Sequence, residues 1–323
     1  MKLSSLVFAV LTVAAGSASA QAYPVRPITL IVPFAPGGGI DSSARIQAQA
    51  MGELLGQPIV VENMGAAAGT VGSLRVAKAE PDGYIMLMAN SGTHAYSQWI
   101  YNKRPYDASA DFTPVGLVSE SPRILVARRD LPVSGLQEFI AYVKANQAKM
   151  QFGSAGVGSG THLPCALLNH MLGVNPTHIP YRGAGPAMQD LIAGRIDYMC
   201  DTIQTGAVQA KSGKVKGIAV MAAKRSPSIP DLATTGEQGL GGAEVSVWNA
   251  FFLPKGAPAP VVRRLNKAMS DMLDSPVIRK RLEDLGLEIV APERRSPEYL
   301  ARFLAEEIRR WGVVISDAQI KAD

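Results

Sequence analysis

The chain has 323 residues, a formal net charge of +5, and 47% hydrophobic against 18% charged residues. Lys and Arg are scattered among acids, which gives a nucleic-acid surface little support. The densest cluster, "VIRKRLEDLG", carries its own acids and reads as a solvated helix face. About 300 residues beyond a leader exceed what one hydrophobic core usually holds, so two domains are expected.

The first twenty residues, "MKLSSLVFAVLTVAAGSASA", have one positive charge at Lys2, an apolar run from Leu6 to Ala15 and small residues at Ala18 and Ala20. This is the pattern of a secretory signal peptide cleaved after Ala20. The run is about half the roughly 20 residues a membrane anchor needs, and no later segment is long enough to span a bilayer. An exported, soluble protein with a net charge one lower, +4 without Lys2, is the expectation.

Strand-like runs then alternate with helical patterns, the sign of an α/β chain with mainly parallel sheets. The first unit is "PITLIVPFA", the glycines Gly37, Gly38 and Gly39, and a helix with Ile40, Ala44, Ala48, Met51 and Leu55 on one stripe. "PIVVENM" is a strand, "GTVGSLRVAKA" a short helix, and "DGYIMLMA" a third strand closing in the loop "NSGTHA". "SQWIYNKRPYDASADFTP" is rich in turn formers and reads as irregular.

Extended, β-branched character persists through "VGLVSESPRILVARRDLP" for longer than one strand should. A second series of units follows: helix "GLQEFIAYVKAN", strand "MQFGSA", a second glycine loop, helix "THLPCALLNHML", strand "THIPY", helix "GPAMQDLIAG", strand "RIDYMCD", helix "TGAVQAKSG" and strand "VKGIAVMA". "AEVSVWNAFFLP" is another long extended stretch. The rest is helical, with Val262, Leu265, Met269, Met272 and Leu273 on one face, and with Ser296 capping a helix striped by Leu300, Leu304, Ile308, Trp311 and Ile315. Two long extended segments bracketing a central domain imply a chain that leaves its first lobe, builds a second and returns. The boundaries expected are 21–122 with 247–323 for lobe 1 and 123–246 for lobe 2, with a cleft between.

A helix starting directly after a strand points free N–H groups outward with about half a positive charge, and glycine lets an oxyanion approach that backbone. The two strand–glycine–helix junctions are therefore candidate carboxylate or phosphate sites, or merely tight turns. Neither fits a dinucleotide loop, since Ser42 and Thr161 stand where a third glycine is required, and neither is a Walker loop. Asp41 suits the helix dipole as a cap, and a ligand contact is the alternative. Ser154, Ser159, Thr161 and His162 supply donors near the second helix start; Asn90, Ser91 and Thr93 lie in "NSGTHA", and Arg182 lies in "YRGAGP".

Catalytic and metal chemistry find little support. No serine sits in a G-x-S-x-G elbow, nothing places an acid beside a Ser/His pair, and His94, His162, His170 and His178 with two cysteines show none of the usual ligand spacings. No cofactor, no metal and no enzymatic activity are expected. Cys165 and Cys200 fit either one disulfide or two buried free thiols.

Taken together and in order, "YPVRPITLIVPFAPGGGID", "GTVGSLRVAKAEPDGY", "FTPVGLV", "GSAGVGSGTHL", "HIPYRGAGPAMQDLIAGRIDYMCD" and "PSIPDLATTGEQGL" resemble the extracytoplasmic receptors of the tripartite tricarboxylate transporter family, the Bug receptors. The resemblance runs along the whole chain beyond the leader. It implies a type II periplasmic binding fold, two doubly wound α/β lobes joined by two crossover strands, near residues 122 and 247. A small carboxylate would be held by backbone amides and waters of the loops "FAPGGGID" and "GSAGVGSGTH". By position, Phe34, Pro36, Gly37, Gly38, Gly39 and Asp41 would line one wall. Ser154, Gly156, Gly158, Ser159 and His162 would line the other, with Ser91, Thr93, Arg182 and Asp201 at the rim. The chain departs from the family pattern at Met64 and Gly65, at Ala233, and at Arg123 near the crossover, the last a residue that bears on ligand choice. The helix after the second glycine loop would pack beside the end of "RIDYMC", which favours a Cys165–Cys200 disulfide.

The resulting expectation is a monomeric periplasmic receptor that captures a small organic carboxylate and delivers it to membrane transporter subunits or reports it to a sensor protein. Partners with nucleic acid are not expected. The alternatives are a secreted hydrolase using His162 and a nearby serine, and the effector domain of a transcription regulator, which the leader argues against.

Overall fold

The computed structural model describes residues 23–317 and 320–321; the leader expected over Met1–Ala20 lies outside them. The first lobe begins with β1 (Ile28–Val32), α1 (Gly39–Leu55), β2 (Ile59–Asn63), α2 (Thr70–Ala77) and β3 (Ile85–Asn90). A π-type turn at Gly92–Tyr96 then runs into the short helix α3 (Ser97–Ile100). The expected loop "NSGTHA" and the first part of the irregular stretch are thus helical. The cause is local: the Thr93 N–H donates to Asn90 Oδ1 at 3.1 Å and the Asn90 N–H to Thr93 Oγ1 at 3.1 Å, a reciprocal cap that starts the turn.

A 17-residue strand, β4 (Phe112–Arg128), leads into α4 (Leu136–Asn146), β5 (Gln151–Ser154), α5 (Leu163–Leu172), β6 (Thr177–Pro180), α6 (Ala184–Ile192), β7 (Tyr198–Thr202), α7 (Ile203–Lys211) and β8 (Val215–Met221). The chain returns through β9 (Ser246–Pro254) and ends with α8 (Ala259–Asp274), α9 (Pro276–Asp284), β10 (Glu288–Ile289) and α10 (Pro297–Asp317). At the start of α10 the Tyr299 N–H donates to Ser296 Oγ at 3.0 Å, with Pro297 in the first helical position.

The main strand path is β2-β1-β3-β9-β4-β7-β5-β6, with β8 and β10 also pairing β4. Within each lobe β1 is parallel to β2 and β3, and β5 to β6 and β7. Every pairing made by β4 or β9 is antiparallel, which corrects the expectation of mainly parallel sheets. The physical reason is the double crossing: β4 leaves the first lobe while β9 returns, so the two run in opposite senses through the middle of the molecule. β4 pairs β9 from Phe112 to Pro122 and switches to β7 and β8 from Arg123 onward. The strand therefore belongs to both lobes and changes partners at Pro122/Arg123.

Each lobe's sheet is covered on both faces, as its near-continuous apolar strands require. Ile28, Leu30 and Val32 pack toward Ala44, Met51 and Leu55 of α1 and Leu265 and Met269 of α8. Ile31, Leu87 and Leu117 face Trp311, Leu300 and Leu304 of α10. In the second lobe Leu125 and Ala127 join Phe139, Leu168 and Tyr198, whereas Ile124 and Val126 join Leu191, Met199 and Ile203. Cys165 of α5 and Cys200 of β7, both fully buried, are joined as a disulfide with Cα atoms 5.3 Å apart.

Candidate functional site

The first glycine junction is pinned from within its own lobe. Gly37 takes φ of +85°, which only glycine adopts freely, and Gly38 is the residue before the first helical position of α1. Asp41 is 4% exposed; one carboxylate oxygen accepts the Gly37 N–H at 3.0 Å, and the other accepts Asn63 Nδ2 at 2.9 Å and pairs with Arg45 at 3.0 Å. Burial works against that charge, but the Gly37 N–H, Asn63 and Arg45 outweigh it and hold the Asp41 carboxyl below its ordinary value. Asp41 therefore fastens the loop to the helix and to the end of β2.

The second junction, between β5 and α5, is likewise held by its own side chains. The Ala155 N–H donates to Thr161 Oγ1 at 2.8 Å, the Gly158 N–H to His162 Nδ1 at 3.0 Å, and the His162 N–H to Ser159 Oγ at 3.2 Å. Ser154 Oγ meets His178 Nε2 at 2.7 Å, and the His162 and His178 rings stack at 4.1 Å. Burial pulls the His162 imidazole down to about 3 and that of His178 to about 4, so both are neutral near pH 7. The serine beside a histidine is thus Ser154 with His178, while Nδ1 of His162 is occupied by a backbone amide. The hydrolase arrangement on His162 is not assembled.

The two junctions face each other, and the lobes touch between them. Phe34 packs on Ala155 and Ala184, and the Ala35 N–H donates to the Arg182 carbonyl at 3.2 Å. Several glycines face atoms of the opposite lobe where a Cβ would point: Gly39 meets Thr202 and Gln204, Gly156 meets Ala68, Gly158 meets Ile100, and Gly183 and Gly185 meet Ala35, Pro36 and Gly37. Gly65 has Ala35 N and the Arg182 carbonyl in the same place, so the departure at this position falls on the seam between lobes.

Between the lobes lies a pocket of about 480 Å³, counting its open mouth. Phe34, Gly38, Gly39 and Ile40 form one wall, at the start of α1, where the first-turn N–H groups have no partner within the helix. Ala155, Gly160, Thr161 and Ala184 form the other, and Asn90, Ser121, Thr202, Gln204 and Asn249 supply neutral polar groups. Ser121 Oγ donates to Gln204 Oε1 at 3.1 Å. The one charged lining residue is Arg123, 3% exposed, with Nε and Nη1 buried and without a hydrogen-bond partner among the described residues. Burial lowers the guanidinium to about 10, which leaves it charged at any physiological pH.

Of the residues singled out in the sequence, Phe34, Gly38, Gly39, Asn90 and Thr161 line this pocket. Pro36, Gly37 and Asp41 shape the loop behind it. Ser154, Ser159 and His162 build the second loop from inside; Gly158 sits on Ile100; and Gly156 and Arg182 border a separate, open groove with Ala67, Ala68 and Pro186. Ser91 Oγ accepts the Trp248 N–H at 3.1 Å, and Thr93 is used in the cap of its turn. Asp201 is fully buried beneath α7, bonded to the Thr205 hydroxyl, while its neighbour Thr202 lines the pocket. Burial pushes the Asp201 carboxyl up to about 6, against the Thr205 and Thr202 hydrogen bonds and the pull of Arg123. Side chains alternate along a strand, so adjacent Asp201 and Thr202 point to opposite faces.

Sequence reasoning placed Arg123 among the departures from the family and not in the site. The signal was present: a lone charge inside the apolar run "SPRILVA". Ser121, Gln204 and Asn249 carried no comparable signal, because partner switching in β4 and the return of β9 bring them to the cleft. Among the described residues no cluster of His, Cys, Asp or Glu is arranged to hold a metal ion, and no helix is long and apolar enough to cross a membrane.

Solved structures share this architecture over nearly the whole chain. The periplasmic binding protein BugD is 39% identical, with a TM-score of 0.90 over 93% of this chain and 99% of its own. MatC from Rhodopseudomonas palustris, solved with bound malate, is 43% identical, with a TM-score of 0.87 over 91% of this chain and all of its own. A second R. palustris protein, solved with adipate, is 32% identical, with a TM-score of 0.88 over 93% of this chain and 99% of its own. Residues 43–320 match the family described as the tripartite tricarboxylate transporter family receptor. The chain belongs to that family, the Bug receptors, and has their two-lobed periplasmic-binding-protein fold.

Proposed function

We propose that this protein captures a small organic carboxylate between its lobes, through backbone N–H groups of the two glycine loops, and hands it to a tripartite transporter or to a sensor. The observation that carries the reading is the pocket's charge: the opening turn of α1 forms one wall, a buried guanidinium lines it, and no acidic side chain does. Malate and adipate in two relatives support the ligand class. Within this reading the lobes are 21–122 with 247–323 and 123–246, and the protein works in the periplasm as a monomer after losing its leader at Ala20.

Closure of the lobes excludes water from the pocket. In the lower dielectric each amide–carboxylate hydrogen bond strengthens, and the ligand shifts the population toward the closed form. Phe34, Gly38, Gly39, Gly160 and Thr161 would touch the ligand; Asp41, Ser154, Ser159 and His162 would hold the loops that present them. A thermal-shift panel of mono-, di-, tri- and aromatic carboxylates beside uncharged sugars and amides tests the assignment. Stabilisation by one or more carboxylates is expected. Stabilisation by an uncharged solute and by no carboxylate refutes it.

A further inference from the structure

A guanidinium sealed in a protein interior is costly unless an anion meets it, and water cannot serve Nε and Nη1 of Arg123 from outside. Asp201, whose charge pulls on it, forms no ion pair with it within 4 Å among the described residues; Asp201 Oδ2 is bonded to the Thr205 hydroxyl under α7, and Oδ1 is buried without a hydrogen-bond partner. Arg123 is the first residue of β4 to pair with the second lobe, opposite Thr202 of β7 and Met221 of β8. Its Nη2 lies 3.3 Å from the point where a Cβ on Gly160 would stand, so the guanidinium reaches the second glycine loop and glycine keeps the space beside it open. The start of α1 lies on the facing wall.

The pocket thus offers two anion-seeking poles, one a helix N-terminus in the first lobe and the other a buried guanidinium at the point where β4 enters the second. We propose that the two poles take two carboxylates of one molecule: the ligand is a dicarboxylate whose second carboxylate is bound by Arg123, and a ligand bearing an ammonium group is disfavoured. This rests on the carboxylate-receptor reading above and deepens it. The neutral groups of Ser121, Gln204, Asn249 and Asn90 both donate and accept, and suit a hydroxyl between the poles, but none supplies a negative charge for an amine. Arg123 accordingly sets selectivity, and by bridging both lobes through the ligand it also rewards closure.

The test is calorimetry on the full chain beyond the leader with succinate, glutarate and adipate, each beside its own monoamide of the same length, and with aspartate. The wild type is expected to bind at least one dicarboxylate tenfold or more tightly than its monoamide, the minimum for a charge-assisted bond in a dry site. Aspartate is expected to bind at least tenfold more weakly than succinate. In Arg123→Gln the dicarboxylate-over-monoamide preference should fall below threefold, and Arg123→Lys should keep part of it. Ligand-free Arg123→Gln should melt no lower than the wild type, because it breaks no hydrogen bond or ion pair and removes a charge that is buried without either. The wild-type comparison needs no variant, so the proposal stays testable should Arg123→Gln fail to fold.

Equal affinity for a dicarboxylate and its monoamide overturns the role of Arg123, as does an undiminished preference in Arg123→Gln. So does aspartate binding as tightly as succinate, or binding of monocarboxylates or aromatic carboxylates with none of the three dicarboxylates. Each of those outcomes leaves the carboxylate receptor standing. Failure of every carboxylate to bind the wild type removes both readings together.

Discussion

Replacing Gly39 by alanine separates the two roles a glycine at the head of α1 can play. The three nearest atoms to an added Cβ all belong to the other lobe: it would overlap Thr202 Oγ1, and lie 2.9 Å from Gln204 Oε1 and 3.0 Å from Thr202 Cβ. Carbon atoms ordinarily meet at about 3.5–4.0 Å, and the overlap with Thr202 Oγ1 is worse, so the lobes must part by about 1 Å or Thr202 and Gln204 must turn away. Turning Gln204 also disturbs the bond it accepts from Ser121. Overpacking of this kind costs about 1–3 kcal/mol, which is about 5- to 150-fold in Kd if the contact exists only when the lobes are closed. Within its own lobe alanine is the better helix former by up to about 1 kcal/mol. Gly39→Ala should therefore melt at or above the wild-type temperature without ligand and bind the tightest carboxylate of the panel markedly more weakly by calorimetry. Gly185→Ala is the companion: it lies outside the pocket, and its Cβ would be 3.0 Å from the Pro36 carbonyl oxygen and 3.3 Å from the Gly37 carbonyl carbon. A loss of about 3- to 10-fold there reports closure alone. If Gly39→Ala binds within twofold of wild type and melts lower, the glycine serves its own turn and the seam argument fails.

Asp41→Asn removes the charge that fastens Gly37 to α1 and should lower stability by about 1–2 kcal/mol in denaturant unfolding, while Kd changes less than threefold because the carboxylate is used inside the loop. Loss of the Cys165–Cys200 bond, which closes a separation of 35 residues, should cost about 3–4 kcal/mol, read as the shift of the denaturant midpoint with and without reductant. Acidification from pH 7 to pH 5 should lower the melting temperature. His94 and His162, each pulled down to about 3, and His178, to about 4, stay neutral in the fold while the unfolded chain takes up their protons below about 6.5. Asp201 works in the opposite sense, since the folded form holds its proton up to about 6 and gains stability as pH falls toward 3.8. At pH 5 the balance is about two protons in favour of the unfolded chain, or about 3 kcal/mol per pH unit, and a flat profile would refute it.

Local pattern was enough for most of the elements. The alternation of apolar runs with helical stripes, the Ser296 cap and the glycines at two strand ends depend on neighbours within a few residues, where side-chain period and backbone freedom decide the outcome. Two unbroken extended stretches were enough to imply a chain that crosses between lobes twice. The same reasoning took the segment after β3 for a loop, because its helical turn depends on Asn90 and Thr93 capping each other, a geometry that residue preferences do not specify. It also took the sheets for mainly parallel, because strand direction in the middle of the molecule follows from where β9 returns.

Which residues meet in the cleft was decided only by the tertiary structure. Glycine loops are visible as composition, but whether a serine or histidine near them faces a ligand or braces the loop depends on hydrogen bonds that form after the chain has folded. Hence Phe34, Gly38 and Gly39 reach the pocket, while Asp41, Ser154, Ser159 and His162 turn inward. Arg123 and Asp201 make the same point for charge. Each is a lone ionisable group on a buried strand, yet one lines the cleft and the other lies under a helix, because pleating and the partner switch at Pro122/Arg123 fix the face that each side chain takes.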